Sequence, residues 1–203
     1  MINYPIKKSG NKTISYKNRG MTLEEDINAT NEYYLAHNIA VIHKKPIPIK
    51  VVNVNYPNRQ SAVIDKAFYV VPSTTDYNGL YKGNHIDFEA KETINKTSFP
   101  LSNIHTHQIE HLINIKKHGG ISFLLIFFKA KDEIYLLETK YLKDFVTRSI
   151  KGRKSITYDE IKEYGYPVKE GYAPRIEYLN VIDKILKKGW IQPFFFILMC
   201  FQM

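Results

Sequence analysis

The apolar positions of this chain fall into runs whose spacing changes from helical to strand-like and back. Leu23, Ile27, Thr30 and Tyr34 recur at helical spacing behind Thr22-Leu23-Glu24-Glu25, which has capping-box form, so a helix is predicted to about His37. Ile39-Ala40-Val41-Ile42 begins a strand that Lys44-Lys45-Pro46 ends, and the β-branched run from Ile49 to Val54 predicts another. Residues 56–72 form a basic and apolar excursion carrying Arg59, Lys66, Phe68 and Tyr69. From Thr74 to Lys91 the pattern is two short strands about a Lys82-Gly83 turn, where Gly accepts a positive φ without steric cost. Ile104, Gln108, Leu112 and Ile115 share one stripe of a helix predicted from about Ser102 to His118, stopped by Gly119-Gly120. Ile121 to Phe128 is an unbroken apolar strand, and a Lys129-Ala130-Lys131-Asp132 turn leads to a partner strand from Ile134 to Leu137. Helical patterns then cover Tyr141 to Ile150, Tyr158 to Tyr164 and, after Gly171-Tyr172-Ala173-Pro174-Arg175, a last helix to about Lys188. With no internal repeat and no long linker, residues 18–189 are predicted to be one α/β domain.

The hairpin carries the candidate chemistry. If Tyr81 pairs with Asn84, antiparallel counting sets Asp76 opposite Glu89 and Thr74 opposite Lys91. Residues two apart on a strand share a face, so these four lie together, with opposed Cβ atoms about 5 Å apart. Ile86, Phe88 and Ala90 take the other face, which is predicted to bury. Two opposed carboxylates repel unless positive charge lies between them, and a divalent cation removes that conflict. Oxygen donors without a thiolate favour Mg²⁺, with Mn²⁺ able to substitute, over zinc. Lys91 would stand beside the cation and stabilise charge developing on a phosphate. The same residues would equally make an exposed hairpin in which Lys91 neutralises Asp76 and Glu89 as a surface ion pair. Asp87, on the face of Glu89, is a candidate further ligand, and Glu24 a candidate support from the first helix. Gln108 is the polar member of an inward stripe and needs a partner. His107 and His111 have the i, i+4 spacing of a shared zinc, but Gln108 stands where a zincin helix carries Glu and no third ligand is evident.

Charge narrows the partner. A net charge of +9 and a pI near 9.4 point first to nucleic acid and second to an anionic membrane surface. Residues 1–17 form a basic arm with Lys7, Lys8, Lys12 and Lys17, suited to phosphate contacts. Cys200 is the only cysteine, which leaves no disulfide framework and fits a reducing cytosol. The N-terminus is polar from Asn3 and has no signal-peptide run. Residues 190–203 are nearly all apolar but shorter than the roughly 20 residues of a membrane-crossing helix. A segment buried against the core or a partner chain is expected there, with an interfacial anchor behind Lys187-Lys188 as the alternative.

Asp76 followed by Glu89-Ala90-Lys91 has the form of the PD-(D/E)xK nuclease motif, and more specific strings surround it. These are Asn18-Arg19-Gly20-Met21-Thr22-Leu23-Glu24, Ile42-His43-Lys44-Lys45-Pro46, Ser73-Thr74-Thr75-Asp76-Tyr77-Asn78-Gly79, Ile86-Asp87-Phe88-Glu89-Ala90-Lys91-Glu92-Thr93, Lys96-Thr97-Ser98-Phe99-Pro100-Leu101, His107-Gln108-Ile109-Glu110-His111 and Gly171-Tyr172-Ala173-Pro174-Arg175-Ile176. In this order they closely resemble the RecU Holliday-junction resolvases, over roughly Tyr16 to Ile185. The resemblance implies a restriction-endonuclease-like mixed sheet flanked by helices, with the 56–72 excursion as a stalk that enters the junction. An ordinary connection between two elements is the other reading of that excursion. It implies that Thr74, Asp76, Glu89 and Gln108 hold Mg²⁺ and that Lys91, Asp76 and Glu89 carry the catalysis. It further implies a homodimer on four-way junction DNA, working with the strand-exchange recombinase and the branch-migration helicase. RecU-like chains are not expected to end in an apolar tail, so a shifted or truncated reading frame is a further account of 190–203. The rival functions are a non-catalytic DNA-binding or recombinase-modulating protein, and a nuclease of the same core acting on duplex DNA.

Overall fold

One strand, apolar on both sides, sets the layering of the molecule. The computed structural model describes residues 22–58, 61–70 and 74–187. In chain order the elements are α1 (Leu23–Ala36), β1 (Val41–Lys44), β2 (Ile49–Asn58), β3 (Ser61–Tyr69), β4 (Tyr77–Tyr81), β5 (Asn84–Thr93) and β6 (Ser98–Pro100). A 3-10 turn (Leu101–Asn103) leads to α2 (Thr106–Lys117), β7 (Ile121–Phe128), β8 (Glu133–Glu138), α3 (Thr139–Ser149), β9 (Ser155–Thr157), α4 (Tyr158–Tyr164) and β10 (Tyr166–Val168). Residues 178–187 form a further helix, α5.

Six strands form one mixed sheet in the order β1-β4-β5-β7-β8-β10, in which only β5 and β7 run parallel. Strand β7 lies inside it, and its side chains alternate between two cores. Phe123 and Leu125 join Ile27 and Tyr34 of α1 and Leu179 and Ile182 of α5 on one face. Leu124, Ile126 and Phe128 join Leu112 of α2, Leu142 of α3 and Ile161 of α4 on the other. A strand buried on both faces loses the period-2 signal and reads as a continuous apolar run. The mixed α/β sheet flanked by helices is therefore the fold that the sequence implied.

The hairpin closes as expected at its tip. Tyr81 pairs with Asn84, and Lys82 and Gly83 take φ values of 48° and 76°, the left-handed pair that a two-residue hairpin turn needs. Ile86, Phe88 and Ala90 face the α1–α5 core. Phe88 stacks between Tyr77 and Phe123, with ring centroids 4.8 Å apart on each side. That stack turns Asp87, Glu89 and Lys91 to the opposite face. At Gly79 the backbone of β1 leaves no room for a side chain, since a Cβ there would collide with the Val41 carbonyl oxygen and Ile42. Gly79→Ala is expected to lower the free energy of unfolding by about 3 kcal/mol, read as a reduced denaturation midpoint at unchanged slope.

Two expectations change. The strand β4 starts at Tyr77, so Asp76 and Thr74 precede the ladder and Thr74 has no strand position opposite Lys91. The Asp76 N–H leaves the ladder because the Glu89 carboxylate accepts it. The run from Ile49 to Val54 is a strand as expected, but it pairs with β3 in a separate antiparallel ribbon, so the excursion from the main sheet starts before 56–72. Its β-branched residues show strand conformation, but only the partner strand decides which sheet they join. The ribbon exposes Val52, Tyr56, Val63, Phe68 and Tyr69. The basic arm of residues 1–17, Arg59 and the apolar stretch 190–203 lie outside the described residues. Among the described residues, no helix is long and apolar enough to cross a membrane.

Candidate active site

Glu89 is the buried centre of the candidate site. It is fully shielded from solvent on β5, and its Oε2 accepts the Asp76 backbone N–H at 3.1 Å. Lys91, two residues along the same face, brings Nζ to 2.5 Å from Oε1. Oε1 is buried, and that ammonium faces it as an ion pair. Burial, and after it the neighbouring Asp76 carboxyl, push the Glu89 carboxyl up to about 7, while Lys91 pulls it back in part. Two carboxyls and one ammonium therefore meet here, one positive charge against two acids. A hard cation would relieve the repulsion between the acids, and their oxygen donors suit a divalent ion.

The other expected residues take distinct places. Gln108 is buried in the first turn of α2, where its Oε1 accepts the His105 N–H at 3.0 Å and caps the helix. Its second lone pair stays available to a cation. Thr74 is half-buried beside Asp76, and its hydroxyl donates to the Thr75 carbonyl at 3.4 Å. Glu24 pairs with Lys44 and lines a cleft of about 450 Å³ with Thr22, Leu23, Asp76, Tyr77 and Glu92. His107 stacks on His105 at 5.4 Å, whereas His111 bonds Asp87, so the two histidines do not share a site. Among the described residues, no group of three or more His, Cys, Asp or Glu side chains could hold a metal ion.

Sequence reasoning missed a second cluster next to the first. Asp87 is 2% exposed and binds Thr75, Lys45 and His111 rather than standing free as a ligand. Its place on the face of Glu89 was legible from strand alternation. The contributions of Lys45 and Thr75 were not, because they arrive from other elements through the fold.

The model of the family described as Recombination protein U matches residues 18–184. A Holliday junction resolvase RecU of Bacillus cereus (strain B4264) is 55% identical over 180 residues, covering 88% of this chain and 90% of that relative. The chain belongs to the RecU family. Another relative, the Holliday junction resolvase RecU of Bacillus anthracis (strain CDC 684 / NRRL 3495), is 56% identical over 182 residues, covering 89% of this chain and 88% of its own. Among solved structures, Archaeoglobus fulgidus Hjc, a Holliday junction resolvase, matches at a TM-score of 0.35 and 11% identity, over 48% of this chain and 74% of that one. At that level the likeness adds nothing to the RecU assignment.

Proposed function

We propose that this chain is a Mg²⁺-dependent endonuclease that resolves four-way DNA junctions by two symmetric nicks. The observation that carries the reading is the meeting of Asp76 and Lys91 at the buried Glu89 carboxyl, in a chain 55% identical to a resolvase over nearly its full length. Asp76 and Glu89, with Thr74 and Gln108, would hold the cation; Mn²⁺ has the same preference for oxygen donors and would substitute. Once bound, it supplies polarisation of the scissile phosphate and acidification of a water. Lys91, held against Glu89, directs a compact positive charge at the phosphate oxygens as charge develops there. Burial of Glu89 keeps bulk water from screening these charges.

The basic surface implied by a net charge of +9 supplies phosphate contacts, and the exposed β2–β3 ribbon offers apolar and aromatic side chains to the open centre of a junction. Two equivalent cuts on a two-fold substrate call for a two-fold homodimer. The RecU resemblance adds the strand-exchange recombinase and the branch-migration helicase as partners. The test is cleavage of a mobile four-way junction and of a linear duplex of equal length, each with Mg²⁺ or with a chelator. Paired nicks in the junction alone, dependent on the cation, are expected. Equal rates on the duplex would assign a general nuclease, and binding without cleavage a DNA-binding protein.

A further inference from the structure

We propose that Asp87 is a positioning residue of the candidate active site: it fastens the Asp76 segment to β5 and α2 and is not itself a ligand of the cation. The inference rests on the metal site described above and specifies what aims it. The Asp87 carboxylate has both oxygens engaged. Oδ1 accepts the Thr75 hydroxyl; Oδ2 accepts Lys45 Nζ at 2.9 Å and faces His111 Nε2 at 3.1 Å, with His85 Nε2 at 3.6 Å. A carboxylate already enclosed by an ammonium, a hydroxyl and two imidazoles has little left to offer a cation, and an added positive charge there would compete with Lys45.

The partners of Asp87 are the neighbours of the candidate ligands. Thr75 lies between Thr74 and Asp76. His111 lies one helical turn beyond Gln108 on α2, and Asp87 lies two residues before Glu89 on β5. Lys45 is the common member. Its Nζ donates to Thr75 Oγ1 at 3.0 Å as well as to Asp87, and its backbone N–H donates to the Asp76 carbonyl at 2.7 Å. The Asp76 residue is thereby fixed at both ends, its N–H on Glu89 and its C=O on Lys45. Because β4 begins only at Tyr77, Asp76 lies just past the ladder, where one backbone bond to Lys45 and its N–H on Glu89 hold it. The Thr75–Asp87–Lys45 side-chain network anchors the residues on which those bonds depend, so the direction of Asp76 follows from side chains outside the proposed ligand set. Groups that orient ligands in this way typically change metal affinity or activity by 10–100-fold when removed.

The full-length chain tests this through two measurements, the affinity for Mn²⁺ by titration without DNA and the single-turnover cleavage of a four-way junction in saturating Mg²⁺. Thr75→Val, which keeps the shape and removes the hydroxyl, is expected to weaken Mn²⁺ binding about tenfold or more, with Thr75→Ser restoring most of it. Asp87→Asn and Lys45→Met are expected to weaken Mn²⁺ in the same range, with junction affinity unchanged for Asp87→Asn. Cleavage should slow in parallel. Wild-type Mn²⁺ affinity in Thr75→Val would overturn the proposal, whether or not Asp87→Asn folds, and its combination with lost binding in Asp87→Asn would make Asp87 a ligand. Glu89→Gln separates this from the metal site itself: if it too binds Mn²⁺ like the wild type, the metal site is what fails.

Discussion

Glu89→Gln is expected to slow cleavage of a four-way junction by about a thousandfold or more while the protein still binds the junction. A thousandfold corresponds to about 4 kcal/mol of activation free energy, the scale expected when a buried charged ligand is removed from the point where a cation meets the phosphate. Gln keeps the length and one oxygen of Glu, so packing against β7 and the bond from the Asp76 N–H can survive. What it loses is the negative charge that faces Lys91 and, in the proposed reading, the cation. Binding is expected to persist because affinity for DNA comes mainly from phosphate contacts across a basic surface. The measurement is a cleavage time course beside a gel-shift titration of the same junction in the presence of Ca²⁺ or a chelator. Cleavage at the wild-type rate would remove Glu89 from the reaction, and loss of binding along with cleavage would point to a structural role.

The same substitution is expected to stabilise the metal-free protein at neutral pH. The Glu89 carboxyl has an ordinary value of 4.5 and is pushed up to about 7 in the folded chain, first by burial and then by Asp76. Between these values the folded state holds a proton that the unfolded state releases. Stability is therefore fully present below about 4.5 and falls as pH rises towards 7. The loss amounts to about 3 kcal/mol, since each unit of difference is worth about 1.4 kcal/mol. Gln mimics the protonated acid and carries no such slope. In chelator, Glu89→Gln should match the wild type near pH 4.5 and melt several degrees above it at pH 8. Saturating divalent cation should close that gap by stabilising only the wild type. Identical pH profiles for the two proteins in chelator would mean that the Glu89 carboxyl is not raised. Together the two results would show a site that is unstable when empty, in which activity and stability oppose each other at one side chain.

Much of this could be read along the chain because it is local. The capping box at Thr22 and Glu25, the turn at Lys82-Gly83, the helix stop at Gly119 and the alternation of Ile86, Phe88 and Ala90 against Asp87, Glu89 and Lys91 each depend on residues within a few positions of one another. Their signals are steric and periodic, so sequence carries them directly. The strand Ile121–Phe128 was equally legible as a strand, but its two faces were not separable, because residues buried on both sides show no alternation.

Tertiary structure decided what distant elements bring to one point. Sequence could place Glu89 and Lys91 on one face, yet it could not show that Asp76 would leave the ladder and give its N–H to Glu89. Nor could it show that Lys45, after β1, would reach across to Thr75 and Asp87, or that Ile49–Asn58 would pair with Ser61–Tyr69 outside the main sheet. Hydrogen bonds and ion pairs of this kind join residues far apart in the chain, and no local periodicity records them. The physical reason is the same in each case: residue order fixes what a segment can form, whereas burial and partner geometry fix which of those possibilities the folded chain adopts.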